Sequence, residues 1–404
     1  MTLARISDLD ARTGVSRAQM PNGFMIALYR ALAPYRGCEH GCRYCDGRAE
    51  KYFVEGDFER DIAVRRSLPE RIAQDVADGV PLREFGAIAM GSGVTDIYQP
   101  VEAELGLTRQ MLEALLPVGN PISLQTKNAL ILRDFDLLAR FPKVLVAVTV
   151  TTLDATAASY LEPGASPPAE RLEVIRRARA AGFHAGVLAM PLCPGVGDGD
   201  ADVAALLAEA KRAGAEFVWP GGLTLRPGRQ KEAFMAMLAE HWPALGEHYA
   251  RAFSENRPSG MPLAAHSRAL EQRIARLMAA SGMPALPPES IHRDLLCRAD
   301  SLFVLFNHMQ TLYHRRSVDT RALQSATEAY GQWLRETRSG LRRKRIALLP
   351  GEPFPLTRIL DERLAELCAG DGFAKVCGNE KLARLARAVV IDGRLFDYVR
   401  LQLA

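Results

Sequence analysis

The sequence predicts an α/β fold, a partial or full parallel barrel of six βα units followed by a mainly α-helical appendage. Three observations carry this. From about residue 26 to residue 225, short apolar runs alternate with stretches of helical period, the signature of repeated βα units. Gly182 and Gly214 stand where helices would end before the next apolar run. Beyond Leu225 the apolar runs stop, and prolines and glycines punctuate segments of helical period only.

Taken in order, strands are expected at 25–33, 87–91, 122–126, 144–150, 185–190 and 217–225. Between them, Leu112, Leu115 and Leu116 share a helical face, as do Leu130, Leu137 and Leu138, and Leu172, Ile175 and Ala178. Further on, Leu270, Ile274, Leu277 and Met278 form a stripe closed by Gly282 and Pro284. Leu323, Ala326, Tyr330, Trp333 and Leu334 form another. A proline-rich break from Leu349 to Pro355 precedes the last segment. The chain therefore divides into an N-terminal extension (1–25), the barrel (26–255) and a helical C-terminal region (256–404). In such an architecture the loops after the strand C-termini build the active site.

With 404 residues, 48% of them hydrophobic and 24% charged, the composition excludes a disordered chain. The net charge of +4 is compatible with a polyanionic partner without requiring one. Arg5, Asp8, Asp10, Arg12 and Arg17 interrupt any leader, and no later run is long enough to span a membrane. A cytoplasmic protein with no membrane partner is expected. Of seven cysteines, three lie within residues 38–45 and Cys193, Cys297, Cys368 and Cys377 are scattered. That distribution points to a reducing compartment and a metal site rather than a disulfide framework.

The three clustered cysteines lie in Pro34-Tyr35-Arg36-Gly37-Cys38-Glu39-His40-Gly41-Cys42-Arg43-Tyr44-Cys45, directly after the first expected strand. Thiolates suit iron–sulfur clusters, and a loop with Gly37 and Gly41 can fold so that three sulfurs face three irons of one cubane. The fourth iron then lacks a protein ligand and is free to chelate a small molecule. A structural zinc site completed by His40 or a remote cysteine uses the same thiols. It usually shows a second paired ligand cluster, which is missing here.

The CxxxCxxC phrase resembles the radical S-adenosylmethionine (SAM) superfamily, and the longer Pro-Tyr-Arg-Gly-Cys-Glu-His-Gly-Cys-x-Tyr-Cys is similar to its spore photoproduct lyase-related branch. Further stretches match that branch in order. They are Gly91 to Glu102, Thr126-Lys127 with Leu132-Arg133-Asp134, Thr149 to Asp154, Glu162-Pro163-Gly164 with Arg171-Leu172, and Pro191 to Gly195. The resemblance implies a partial (β/α)6 TIM-type radical SAM barrel with a [4Fe-4S] cluster on Cys38, Cys42 and Cys45. It also implies bound S-adenosyl-L-methionine, cleaved reductively to a 5′-deoxyadenosyl radical that abstracts hydrogen. Gly91, Ser92 and Gly93 would let the SAM methionine approach the backbone, Tyr44 would lie near the adenine, Lys127 would meet the carboxylate, and Thr149 the carboxylate or ribose. Read as plain residues, Lys127 is a strand-end lysine and Thr149 a β-branched strand former. The backbone near Met190 and Pro191 would pair with adenine. An external electron donor such as flavodoxin or ferredoxin is implied. The sequence leaves the oligomeric state open.

The chain also departs from spore photoproduct lyases. Cys45 is followed by Asp46 instead of an aromatic residue, and no cysteine occurs between Cys45 and Cys193. Cys193, ending the fifth expected strand, is the candidate hydrogen-atom donor, with a buried small hydrophobe as its plain reading. Tyr98 is the second candidate catalytic side chain, in a loop that it would organise with Asp96 and Glu102. Arg335, Arg338, Arg342, Arg343, Lys344 and Arg345, with Tyr313, His314, Arg315 and Arg316 upstream, would either track nucleic-acid phosphates or form a solvated helix end. The substrate expected first is a nucleic-acid base, as a photoproduct to repair or a base to modify. The alternatives are a peptide or small metabolite, or a non-catalytic iron–sulfur or zinc module.

Overall fold

In the computed structural model, residues 4–52, 54–78, 84–342, 346 and 351–404 are described. The strands are β1 (Arg5–Asp8), β2 (Val15–Asn22), β3 (Ala27–Ala31), β4 (Tyr35–Arg36), β5 (Asp61–Val64), β6 (Ile88–Met90), β7 (Ile122–Thr126), β8 (Val144–Thr149), β9 (His184–Leu192), β10 (Val218–Gly222), β11 (Phe396–Asp397) and β12 (Gln402–Leu403). Six of them pair in parallel in the order β10-β9-β8-β7-β6-β3, and β2 adds to β3 antiparallel. This is the expected partial (β/α)6 barrel, with every strand of the six inside or next to its expected range.

The parallel strands are legible because both faces are covered, which demands unbroken apolar runs. All six residues of β8 are buried. The covering helices of the barrel are α1 (Leu68–Ala77), α2 (Glu102–Leu105), α3 (Leu107–Leu115), α4 (Phe135–Leu138), α5 (Ala155–Leu161), α6 (Pro168–Ala180), α7 (Asp200–Arg212), α8 (Arg229–His241) and α9 (Gly246–Ala252). The remainder is helical: α10 (Ala264–Ser281), α11 (Glu289–Leu295), α12 (Arg298–Arg315), α13 (Arg321–Arg342), α14 (Pro355–Ala369), α15 (Gly372–Cys377) and α16 (Glu380–Val390). Both expected stripes face inward, with Leu270, Ile274 and Met278 of α10 and Ala326, Tyr330 and Leu334 of α13 buried.

The helical region does not hang off the barrel. The two ends of the sheet meet where Phe24, in the β2–β3 turn, packs edge-on against Trp219 of β10 with ring centroids 4.8 Å apart. His308 of α12 holds that turn from below, one ring nitrogen lying 2.9 Å from the Gly23 carbonyl oxygen. Arg338 of α13 donates to Glu84 and to both Asp300 oxygens at 2.7 Å, and to the Gln19 carbonyl of β2 at 3.2 Å. Arg17 of β2 completes this buried network by pairing with Glu84 at 2.8 Å.

These contacts revise the basic run. Arg338 is buried and fully engaged, Arg342 pairs with Glu84 at 3.4 Å, and Arg335 donates to Gln332. Upstream, Arg315 donates to the Pro220 carbonyl and Arg316 to that of Val399. A run of cations along the chain was thus partly a set of internal ties, because its carboxylate partners come from distant elements. Arg343, Lys344, Arg345, Leu349 and Pro350 lie outside the described residues. Among the described residues no helix is long and apolar enough to cross a membrane.

Candidate active site

The cysteine loop begins two residues after β3 reaches the C-terminal edge of the barrel. Gly37 and Gly41 adopt φ of +83° and +60°, a region that side chains disfavour, and so reverse the chain on either side of Cys38. Short turns follow, from the Gly41 amide to the Cys38 carbonyl and from the Cys45 amide to the Cys42 carbonyl. The Gly47 amide donates to the Cys45 sulfur at 3.3 Å.

Two neighbouring loops clamp this one. From the β6 side, Thr95 donates to the Gly37 carbonyl at 2.7 Å, Gln99 accepts from the Glu39 amide at 2.9 Å, and the Glu39 carboxylate accepts from the Val101 amide at 2.5 Å. From the β8 side, the Arg43 amide donates to Leu161 at 2.8 Å and the Gly164 amide to His40 at 3.0 Å. Gly164 has to be glycine, since a Cβ there would lie 2.1 Å from the Glu39 carbonyl oxygen.

Beneath the clamp sits a buried charge pair. Arg171 and Glu162, 1% and 0% exposed, approach to 2.5 Å. Tyr44 and Thr151 donate their hydroxyls to Glu162, and Arg171 also donates to the Ser166 and Thr149 carbonyls. Burial would raise the Glu162 pKa, but Arg171 and Lys127 outweigh it and hold the carboxyl below its ordinary range.

A cleft of about 280 Å³ opens above. Its walls include Cys38, Cys42 and Cys45, Tyr44, Ser92 and Gly93 after β6, Gln125 and Lys127 at the end of β7, Thr149 of β8, and Met190 and Pro191 of β9. Side chains from four successive strand ends therefore converge with the three thiols. The Lys127 ammonium stands 5.7 Å from the centre of the Tyr44 ring. Burial disfavours its charge, yet negative charge at Cys42, Glu162 and Cys45 more than compensates, and its pKa is raised. Asp96 fixes this corner, accepting from the Lys127 amide at 2.8 Å and the Thr126 hydroxyl at 2.9 Å.

The donor set fits an iron–sulfur cubane. Burial pushes the Cys42 thiol up to about 12 and the Cys38 thiol well above its ordinary value, so both hold their protons in the metal-free chain and would release them only on binding metal. His40, the extra ligand a zinc site would call on, is already engaged. One ring nitrogen lies 3.5 Å from Asp96 and the other 3.3 Å from the Asn128 amide nitrogen. Among the described residues no three His, Cys, Asp or Glu side chains are drawn together to hold a single ion.

Three expected positions differ. Cys193 ends its strand as foreseen but does not reach the cleft. It is fully buried in the apolar cluster behind the loop, with Cys42, Tyr44 and Tyr249, and hydrogen-bonds its own turn through Val196. Tyr98 is also fully buried and absent from the cleft walls; burial, then Asp134 and Glu102, push its hydroxyl pKa well up. Its position is that of a loop-organising side chain. Gly91 serves by its φ of +115°, which turns the chain so that Ser92 and Gly93, and not Gly91 itself, line the cleft.

The ion pair of Glu162 and Arg171 went unassigned as a site feature, although its motif stands in the sequence. They stand nine positions apart with a helix start between them, so only tertiary structure joins them. Asp46 also lines the cleft, bonded by Gln230 at 3.0 Å and Arg226 at 3.2 Å, which explains a charged residue in that position.

A family model described as the Radical SAM superfamily matches residues 32–208. An uncharacterized protein of Mycobacterium tuberculosis is 30% identical over 283 residues, covering 67% of this chain and 81% of the relative. An uncharacterized protein of Methanocaldococcus jannaschii is 26% identical over 210 residues, or 52% of this chain and 74% of that one. Among solved structures, a spore photoproduct lyase with bound AdoMet and dinucleoside spore photoproduct is similar at a TM-score of 0.48 and 17% identity, covering 68% of this chain and 79% of its own.

Proposed function

This chain belongs to the radical SAM superfamily, and on that premise we propose that it is an enzyme abstracting hydrogen from its substrate, with a [4Fe-4S] cluster on Cys38, Cys42 and Cys45 and S-adenosylmethionine in the adjoining cleft. The observation that supports this most is the convergence of the three thiols with Ser92, Gly93, Lys127 and Thr149 on one cleft. Once bound and reduced by one electron from a donor such as flavodoxin or ferredoxin, the two cofactors supply a 5′-deoxyadenosyl radical.

The chain's own residues bind and orient. Lys127 offers a desolvated cation to the SAM carboxylate, and Asp96 fixes the backbone that carries it. Ser92 and Gly93 leave room at the backbone, since an added Cβ at Gly93 would meet nothing within 4 Å. Thr149 offers its hydroxyl, Tyr44 lies near the adenine, and the Met190–Pro191 backbone borders that end.

For the substrate, repair or modification of a nucleic-acid base rests on the motif resemblance. The burial of Arg338 and the ties of Arg315, Arg316 and Arg342 remove part of the basic run from the support for a phosphate-tracking surface, and a peptide or small metabolite is the second reading. Anaerobic reconstitution with iron and sulfide, followed by an assay for 5′-deoxyadenosine, tests the enzyme. Cys42→Ala is expected to abolish both cluster absorbance and SAM cleavage; unchanged cleavage would sink the proposal. Binding to damaged and intact oligonucleotides across a salt series separates the substrates, because phosphate contacts give a steep salt dependence.

A further inference from the structure

A second cavity, of about 170 Å³, lies between edge strand β10 and helix α10. It shares Gly222 and Leu223 with the cleft, so the two spaces have a common wall. At Gly222 that wall carries no side chain, and an added Cβ would meet Leu270 at 3.0 Å. The lining is mainly apolar, with Phe253 and Leu270 inside and Met261 at the rim, 44% exposed.

Arg315 and Glu271 are the charged groups in this lining, with His266 and Ser267 beside them. Arg315, the last residue of α12, lines the cavity and spends Nη2 on the Pro220 carbonyl at 3.2 Å. Its Nη1 is buried and makes no hydrogen bond among the described residues. A buried donor without a partner is costly, and a guanidinium is best satisfied by a carboxylate or phosphate oxygen. Glu271 also lines the cavity and its charge acts on Arg315, but it is solvent-exposed and does not approach within ion-pair distance of the guanidinium among the described residues.

We propose that this cavity is a substrate subsite for an apolar or aromatic group bearing a carboxylate or phosphate, the anion bound at Arg315 and the reacting carbon across the Gly222–Leu223 wall. The role as a substrate subsite rests on the radical SAM reading; the binding itself does not. The size is adequate, since a cavity of about 150 Å³ holds a benzene ring. The site also accounts for an arginine that serves neither as a phosphate-tracking surface group nor as a complete internal tie.

The test is calorimetric titration of the reconstituted full chain, without SAM, using phenyl phosphate, phenylacetate, inorganic phosphate and neutral benzyl alcohol. At least one phenyl anion is expected to bind at one site per chain, tenfold or more tighter than benzyl alcohol and tighter than inorganic phosphate. Preference for phenyl phosphate marks a phosphate ester, and preference for phenylacetate a carboxylate. Arg315→Met should erase the tenfold advantage. Leu270→Trp, which fills the cavity and leaves Arg315 in place, should abolish binding and covers the case in which Arg315→Met does not fold. Equal affinity for anion and alcohol, or wild-type anion affinity in Leu270→Trp, overturns the subsite. Because no SAM is present, that failure leaves the cleavage assay untouched, and failed cleavage leaves the binding result standing.

Discussion

Replacing Glu162 by Gln removes one charge from beneath the cysteine loop while keeping an oxygen that Tyr44 and Thr151 can still donate to. What remains is Arg171, 1% exposed and unable to shed its proton at any ordinary pH. Breaking a buried pair by removing one partner costs about 3–5 kcal/mol, and the retained hydrogen-bond acceptor puts this variant near 3. Against a total stability of about 5–15 kcal/mol, that is a large fraction. Urea unfolding of the reduced, metal-free chain, followed by tryptophan fluorescence, reads the loss directly. Iron content after reconstitution reads its effect on the loop, which the Leu161 and Gly164 contacts tie to the same segment. The double variant Glu162→Gln/Arg171→Met removes both charges and should be less destabilised than the sum of the single changes by roughly 2 kcal/mol. The acid limb gives a further check. Since the folded pKa of Glu162 is lowered, its contribution is present above the ordinary carboxylate value and is lost as pH falls through the lowered one. The glutamine variant should lack that component. A single-variant loss below about 1 kcal/mol, or strict additivity in the double, would refute the reasoning.

Gly164→Ala should displace the Glu39 carbonyl, costing about 1–3 kcal/mol and lowering iron content, whereas Gly93→Ala, whose Cβ meets no atom within 4 Å, should fold normally and lose SAM affinity by equilibrium dialysis. Equal iron content in Gly164→Ala and the wild type would contradict the clamp. Asp361 accepts from the Arg298 and Ala299 amides at the start of α12, and burial raises its pKa from 3.8 to about 6. Its neutral form is favoured in the folded chain, so this contribution is fully present below the ordinary value and is lost as pH rises to about 6, about 3 kcal/mol in all. Asp361→Asn should flatten the urea-unfolding free energy across that window, and a wild-type difference that does not vary with pH would count against it.

The six parallel strands could be read from the sequence because burial on both faces leaves continuous apolar runs such as 144–149. Strand β2 could not. Its residues alternate irregularly between buried and exposed, and besides its pairing with β3 it is tied by Arg338 through the Gln19 carbonyl. The small sheet of β1, β5 and β4 escaped for a related reason, with β1 exposed along its whole length. At the site, the placement of the thiols, Lys127 and Thr149 on one cleft was legible because it follows from position at a strand end. The positions of Cys193 and Tyr98 were not, since which way a loop side chain turns is decided by the layers it packs against. The basic run misled in the same manner: cations can be counted along a chain, but Glu84 and Asp300 are found only in space.

The Arg338 network also has an order in time. Glu84 can meet Arg17, 67 residues before it, soon after both are made, but Arg338 follows Glu84 by 254 residues. At a synthesis rate of about 5–20 residues per second, roughly 13 to 50 s pass before that partner exists. During this interval the nascent barrel carries an outer strand whose partner in α13 has not yet been made, and Asp300, only 38 residues ahead of Arg338, waits far less. Completion of the sheet's antiparallel edge is thus a late event in biosynthesis, set by the position of one arginine near the end of the chain.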